Sequence, residues 1–197
     1  DPYNEILFNK SVNNLKSKGI FGSVNAVIKE GSTNNFKVID IIVEEKPTGE
    51  MSLGAGLGTS GGSFGGGIKE NNFLGKGILL DTNFAISKNT FKGKFIYTKP
   101  NFNYTDNTLS IALQSKQSDF LTDYGYKTNN IGFDLGTSFE QYENLYFSPE
   151  ISTSLETLST NNDASTNLKK QAGDYYDLYF NYALVYDMRN QRYKASE

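Results

Sequence analysis

The sequence predicts a mainly β chain: about eight strands of an antiparallel transmembrane β-barrel, preceded by a partial α+β domain. Three observations lead there. From Gly49 onward, apolar and polar residues alternate with period two through eight successive segments. Most of these segments run to about nine to eleven residues, the length of a tilted strand crossing a bilayer. No apolar run approaches the ~18 residues of a membrane-spanning helix; the longest, near Val38 to Val43, is broken by Asp40.

The first 46 residues read differently from the rest. Asp1 suits a helix cap and Pro2 a first turn. Phe8, Val12 and Leu15 follow as one apolar stripe at helical spacing, and Gly19 is a natural stop. "FGSVNAVIKE" (21–30) alternates, "STNN" (32–35) turns, and "FKVIDIIVEE" (36–45) is a second strand. This makes residues 1–46 an α+β unit, 47–49 a linker broken by Pro47 and Gly49, and 50–197 the strand region.

Each later segment shows the same two-faced pattern. Met51, Leu53, Ala55, Leu57 and Thr59 oppose Ser52, Gly54, Gly56 and Gly58. Phe64 and Ile68 oppose Ser63 and Lys69, and Ile78, Leu80, Thr82, Phe84 and Ile86 oppose Asp81, Asn83 and Ser87. Phe91, Phe95 and Tyr97 oppose Lys92 and Lys94; Leu109, Ile111 and Leu113 oppose Ser110, Gln114 and Lys116. Ile131, Phe133, Leu135 and Phe139 oppose Asp134, Ser138 and Glu140, and Leu145, Phe147, Ile151 and Leu155 oppose Ser148, Glu150, Ser152 and Glu156. Tyr176, Leu178, Phe180, Tyr182, Leu184 and Tyr186 oppose Asp177, Tyr179 and Asn181. Connections at 71–74, 99–106 and 141–144 are short; polar loops near 118–129 and 159–173 are long. Short turns at one end and long loops at the other are the layout of an outer-membrane barrel.

Composition removes other classes. Net charge is −3 with signs mixed, so there is no basic surface for nucleic acid. Without Cys or His, thiol nucleophiles, most catalytic triads and the commonest metal ligand are missing, so no enzyme is expected. "STNNDAST" (159–166) offers only Asp163, too few carboxylates for a calcium cage, and no cofactor is expected. "ENLYFS" (143–148) resembles a protease-tag remnant but continues an alternating strand.

A soluble sandwich also alternates, so the polar face decides between the two. Here one face carries aromatics and few charges, and the other carries Lys, Asp, Glu, Gln and Asn at its centre. A hydrated lumen accepts those charges, whereas burying an unpaired one costs several kcal/mol. Phe73, Tyr97, Phe102, Phe139, Tyr142, Tyr146 and Tyr186, near strand ends, suit an interfacial girdle against outer-membrane lipid.

"GAGLGTSGGSFGGG" (54–67) contains G-x-G-x-x-G at Gly56, Gly58 and Gly61, with Asp81 downstream as in a dinucleotide fold. That fold needs a helix after the last glycine. Gly62, Gly65, Gly66 and Gly67 each cost a helix ~1 kcal/mol relative to Ala, so the nucleotide reading fails. Lys76 follows Gly75, but Glu70 stands where a P-loop begins with Gly. The stretch reads instead as a glycine-rich hairpin. Its first strand, Glu50, Met51, Ser52, Leu53, Gly54, Ala55, Gly56, Leu57, Gly58 and Thr59, pairs weakly because glycine has no side chain to pack. In a closed barrel this strand meets the last one, forming a seam that can open.

"VEEKPTGEMSLGAGLGTSGGSFGGGIKENNFLGKG" (43–77) resembles the junction of the BamA family of outer-membrane β-barrel assembly proteins. There a last periplasmic POTRA domain ends in an acidic strand and a Lys/Arg-Pro-Thr-Gly linker. A glycine-rich hairpin follows, then an Asn-Phe-Leu-Gly-x-Gly turn. Asn72, Phe73, Leu74, Gly75 and Gly77 match that turn, and residues 13–31 match the end of a POTRA domain. "TKPNF" (98–102) resembles the family's Asn-Pro-Tyr-Phe turn with Lys-Pro for Asn-Pro; "YDMRNQRYKASE" (186–197) resembles a later turn but lacks its proline. Asp187, Arg189 and Arg192 in that turn read as a structural ion-pair network. A functional contact with a lumen loop is what the resemblance adds.

The resemblance implies a fragment: the end of a POTRA domain in the periplasm and the first half of a barrel of roughly sixteen strands in the outer membrane. The implied function is insertion of nascent outer-membrane β-barrel proteins through residues 50–59, with accessory assembly lipoproteins as partners. A TamA-like subunit or two-partner secretion pore is the alternative; a passive porin leaves the α+β segment without a role.

Overall fold

Asn4, not Asp1, caps the first helix. Its side-chain oxygen accepts hydrogen bonds from the N–H groups of Ile6 (2.9 Å) and Leu7 (3.1 Å), satisfying two donors that have no partner within the helix. The structure, a computed structural model, describes residues 3–33, 36–58 and 61–188, so Asp1 and Pro2 lie outside the described residues. The helix, α1 (Glu5–Ser17), stops where Gly19 takes φ +70°. Val12 is buried, and Phe8 and Leu15 are half-buried beside it. With Ile20 and Val24 they form a small core over β1 (Phe21–Glu30), which pairs antiparallel with β2 (Lys37–Glu45). Residues 1–48 form a unit separate from Gly49–Asp187.

In the second unit every strand pairs with its chain neighbour, giving one antiparallel sheet of eight strands in sequence order. They are β3 (Gly49–Gly58), β4 (Gly61–Phe73), β5 (Ile78–Ser87), β6 (Thr90–Lys99), β7 (Thr108–Phe120), β8 (Tyr126–Tyr142), β9 (Leu145–Thr160) and β10 (Gly173–Tyr186). The sheet is open, with β3 and β10 at its edges among the described residues.

Cross-strand register carries the alternation through the whole sheet. One row runs Met51, Ile68, Thr82, Phe95, Leu113, Phe133, Thr153, Leu178. The next row, on the other face, runs Glu50, Lys69, Asp81, Ile96, Ala112, Asp134, Ser152, Tyr179. In the first row Leu113 and Phe133 are exposed; in the second Ala112 is buried and Asp134 and Ser152 are half-buried. Side chains crowd on a concave surface and splay on a convex one, so the polar face is the inner face of the curved sheet. Leu53 (74% exposed) and Phe180 (71%) stand on the open apolar side.

Two sequence expectations need correction. The expected loop at 118–129 is mostly strand, with only α2 (Leu121–Tyr124) and Gly125 between β7 and β8; the expected loop at 159–173 gives Ser159, Thr160 and Gly173 to the flanking strands and holds α3 (Thr166–Lys170). Strands β7, β8, β9 and β10 therefore have 13, 17, 16 and 14 residues, more than the nine to eleven expected. The first short turn also sits later: Asn71, Asn72 and Phe73 belong to β4, and the turn is Leu74 to Gly77.

Candidate functional site

Strand β3 has a ladder on one side only. It pairs with β4 from Gly49↔Glu70 to Gly58↔Gly61, and among the described residues no strand lies along its other edge. Alternate N–H and C=O groups on that side are the pairing surface of an edge strand. All ten residues are exposed, on both faces. Residues 50–58 of the expected pairing strand are thus brought together on one free edge; Thr59 lies outside the described residues.

The ladder that holds β3 is weak for a local reason. Seven of its ten cross-strand pairs include a glycine, so only Glu50↔Lys69, Met51↔Ile68 and Ala55↔Phe64 bring two side chains together. Such pairs are the unit of sheet stabilisation, each contributing roughly 0.2–1 kcal/mol. Two of the three lie at the base of the hairpin, where Lys69 also faces Asp81 on β5. The tip half therefore has little beyond its backbone hydrogen bonds.

The glycines of the two strands play different parts. A Cβ at Gly65 would come 2.9 Å from the Phe84 carbonyl oxygen, and one at Gly67 would come 3.0 Å from that of Thr82. At Gly66 it would meet Leu53 Cδ2 at 2.8 Å and the Ser52 oxygen at 3.0 Å. These three glycines let β4 lie tightly between β3 and β5. Gly54 and Gly58 in β3 face open space, and nothing packed there excludes a side chain. Small residues at the tip leave a shallow, open apolar depression beside Ala55, Leu57, Phe64 and Ile86.

The matched turn motif forms one hydrogen-bonded unit. The carbonyl of Asn72 accepts from Gly75 N–H (2.9 Å), and its side-chain oxygen accepts from Gly77 N–H (2.7 Å). Leu74, Gly75 and Gly77 all have positive φ, of 58°, 68° and 62°. Glycine takes that conformation without strain, which explains Gly-x-Gly here. Glu70 accepts from Asn72 N–H (2.6 Å) across a bulge between Glu70 and Phe73. Asp187 follows β10 and donates its N–H to the Asn144 carbonyl (2.9 Å); Arg189 and Arg192 lie outside the described residues.

A second free edge did not stand out in the sequence. β10 is regular along its whole length and carries Tyr176, Phe180, Tyr182 and Tyr186 on its apolar face. On the concave face beside it, Asn181 donates to Glu150 (3.3 Å) and Ser152 (3.2 Å), and Ser148 donates to Ser138 (2.7 Å). Among the described residues, no three acidic side chains come together to hold a metal ion.

Comparison with curated proteins finds no match. Among solved structures, BamA from Haemophilus ducreyi lacking POTRA domains 1–3 is similar, with a TM-score of 0.67 at 21% identity. The match covers 96% of this chain and 39% of that one, so this chain spans well under half of its length; the likeness is one of fold. The Omp85 superfamily domain matches residues 72–197. That match begins at the Asn72 turn, and the glycine-rich hairpin before it is covered by the fold comparison alone. With more than half of its length matched by this domain, the chain belongs to the Omp85 superfamily.

Proposed function

We propose that this chain is part of the central subunit of the outer-membrane β-barrel assembly machine and that β3 is the strand on which clients pair. Superfamily membership and the BamA-like fold support an outer-membrane location and a role in barrel assembly or translocation. The observation that carries the finer reading is the β3 edge: ten exposed residues, with no partner strand on one side among the described residues and weak pairing on the other. Lipid cannot satisfy open backbone groups, so a client strand enters the bilayer at lower cost when an edge strand supplies partners. No side chain performs chemistry in this scheme, and no cofactor is needed. Residues 1–46 act as the end of a periplasmic POTRA domain, with 47–49 as linker and 50–197 as barrel. That domain guides clients by strand addition and holds accessory lipoproteins.

The test places single cysteines at positions 50–58 of the full-length protein and cross-links them to a client arrested during assembly. Cross-links alternating in strength along β3 are expected. Their absence at every position, with the protein correctly inserted, overturns the reading. Superfamily membership alone also fits a TamA-like or two-partner secretion pore. In that case the cross-links form to an exported polypeptide threading the lumen, from the concave positions Ser52, Gly54 and Gly56.

A further inference from the structure

We infer that the loops opposite the short turns form a single latch, which fixes β5 to β10 as one plate and confines movement of the sheet to the β3–β4 hairpin. Three connections are involved: the β5–β6 turn at Lys88 and Asn89, the β7–β8 loop at 121–125, and the β9–β10 loop at 161–172.

Asn161 is the centre of the latch. Its N–H donates to the Gly125 carbonyl (2.8 Å), and its side-chain Nδ2 donates to the Leu121 carbonyl (2.9 Å). Its Oδ1 accepts from Asp163 N–H (2.9 Å), and its carbonyl accepts from Ala164 N–H (3.3 Å). One residue of the β9–β10 loop thus holds both ends of α2 and shapes its own loop. Ala164 is buried where it meets Gly125. Gly125 is required there twice over. Its φ is +75°, and a Cβ would collide with the Ala164 backbone and the Asn161 side chain.

The β5–β6 turn is tied to the same body. Asn89 accepts from Asp119 N–H (2.7 Å) through its carbonyl and donates to Asp123 (3.1 Å) through its side chain. Asp119 in turn pairs with Lys127 (3.1 Å) and accepts from Leu121 N–H (3.2 Å). Among the described residues the latch therefore reaches from β5 to β10. Among the described residues, no hydrogen bond or ion pair joins the tip of β3 or β4 to any of these loops; beyond its strand ladders the tip has the Ser63 hydroxyl on the Gly56 carbonyl (3.5 Å) and the Phe64–Phe84 ring contact.

A sheet fastened across six strands and unfastened at two deforms at the boundary. The glycine-rich ladder joins those two strands, so the weakest pairing lies within the part of the sheet outside the latch. The functional meaning of this coincidence rests on the pairing edge proposed above, whereas the latch itself is tested without any client.

The experiment is amide hydrogen exchange on the full-length protein in a lipid bilayer, comparing wild type with Asn161→Ala and Asn161→Asp. In wild type, β3 is expected to exchange faster than β7 and β8. Asn161→Ala should speed exchange in both 119–126 and 161–172 by about tenfold, the loss of one or two hydrogen bonds, with β3 and β4 unchanged. Asn161→Asp keeps the acceptor for Asp163 but turns a carboxylate oxygen toward the Leu121 carbonyl, so a rise at least as large in the same two segments is expected. The wild-type comparison of β3 with β8 supplies the readout should neither variant assemble. A rise confined to 161–172 in either variant overturns the latch, as does wild-type exchange in β3 as slow as in β8. Loss of client cross-linking at β3 with both exchange results intact counts against the proposed function alone.

Discussion

Glycine is one residue type with two roles in this hairpin, and substitution separates them. Gly65 lies against the Phe84 carbonyl oxygen and Ala85, so Gly65→Ala must push β4 away from β5. Overpacking of this kind costs about 1–3 kcal/mol. Gly54 faces open space, and Gly54→Ala should leave stability unchanged or raise it by up to ~1 kcal/mol through lower chain entropy. Thermal unfolding of the full-length protein in detergent compares the two. On the proposed function Gly54→Ala should also slow client assembly, because it stiffens the pairing strand. Thr153 makes a different case. Its hydroxyl is buried with no hydrogen-bond partner, on the apolar face between Phe133 and Leu178. A buried hydroxyl left unsatisfied is unfavourable by about 1–3 kcal/mol, so Thr153→Val should raise stability by about 1 kcal/mol in the same unfolding measurement.

At the scale of elements, the hairpin has a fastened base and a loose tip. Glu50, Lys69 and Asp81 alternate in sign across β3, β4 and β5 at the base, while Gly54↔Gly65 and Gly58↔Gly61 pair without side chains toward the tip. Reversing Lys69 to Glu sets three like charges side by side. The expected loss is about 1 kcal/mol, with faster amide exchange at Glu50 and Met51; no change there would show that the ladder, not the charges, holds the base. All eight sheet strands were legible in the sequence because one face is apolar and the other polar along most of each. The extra length of β7 to β10 was not. In "YKTNNI" (126–131) both faces are polar, so the backbone ladder continues with no contrast to reveal it. Asn4 as the cap was not legible, because Asp1-Pro2 is the stronger local signal and only geometry decides which oxygen reaches the free N–H groups. The β3 edge was legible through its glycines. The latch was not, because Asn161 acts on Leu121 and Gly125 through tertiary contact between loops that look merely polar.

For the whole molecule, the decisive property is which face of the sheet meets which solvent. The strands are unequal: β8's 17 residues extend roughly 55 Å and β3's ten about 34 Å. A tilted crossing of the ~30 Å hydrocarbon core uses about nine to eleven residues. The tall half therefore rises beyond the core at the latched end, where polar residues occupy both faces. At the other end Phe73, Tyr97, Phe102, Phe139, Tyr142 and Tyr186 lie near the short turns, placing a band of aromatics at one boundary of the apolar belt, whereas Tyr146, expected among them, pairs with Glu140 on the opposite face. Between those limits the convex face presents Leu113, Ile131, Phe133 and Leu155, and the concave face presents Ser110, Asn130 and Ser154 on the same strands. Single cysteines at these seven positions, in the full-length protein within a bilayer, resolve the two faces. The convex set should resist a water-soluble thiol reagent and be quenched, when fluorescently labelled, by brominated lipid. The concave set should react readily and escape quenching. Identical labelling of both sets would mean that the apolar face does not contact hydrocarbon, and the strand-exchange mechanism would lose its physical basis, because a β3 edge bathed in water offers a client strand no advantage over water itself.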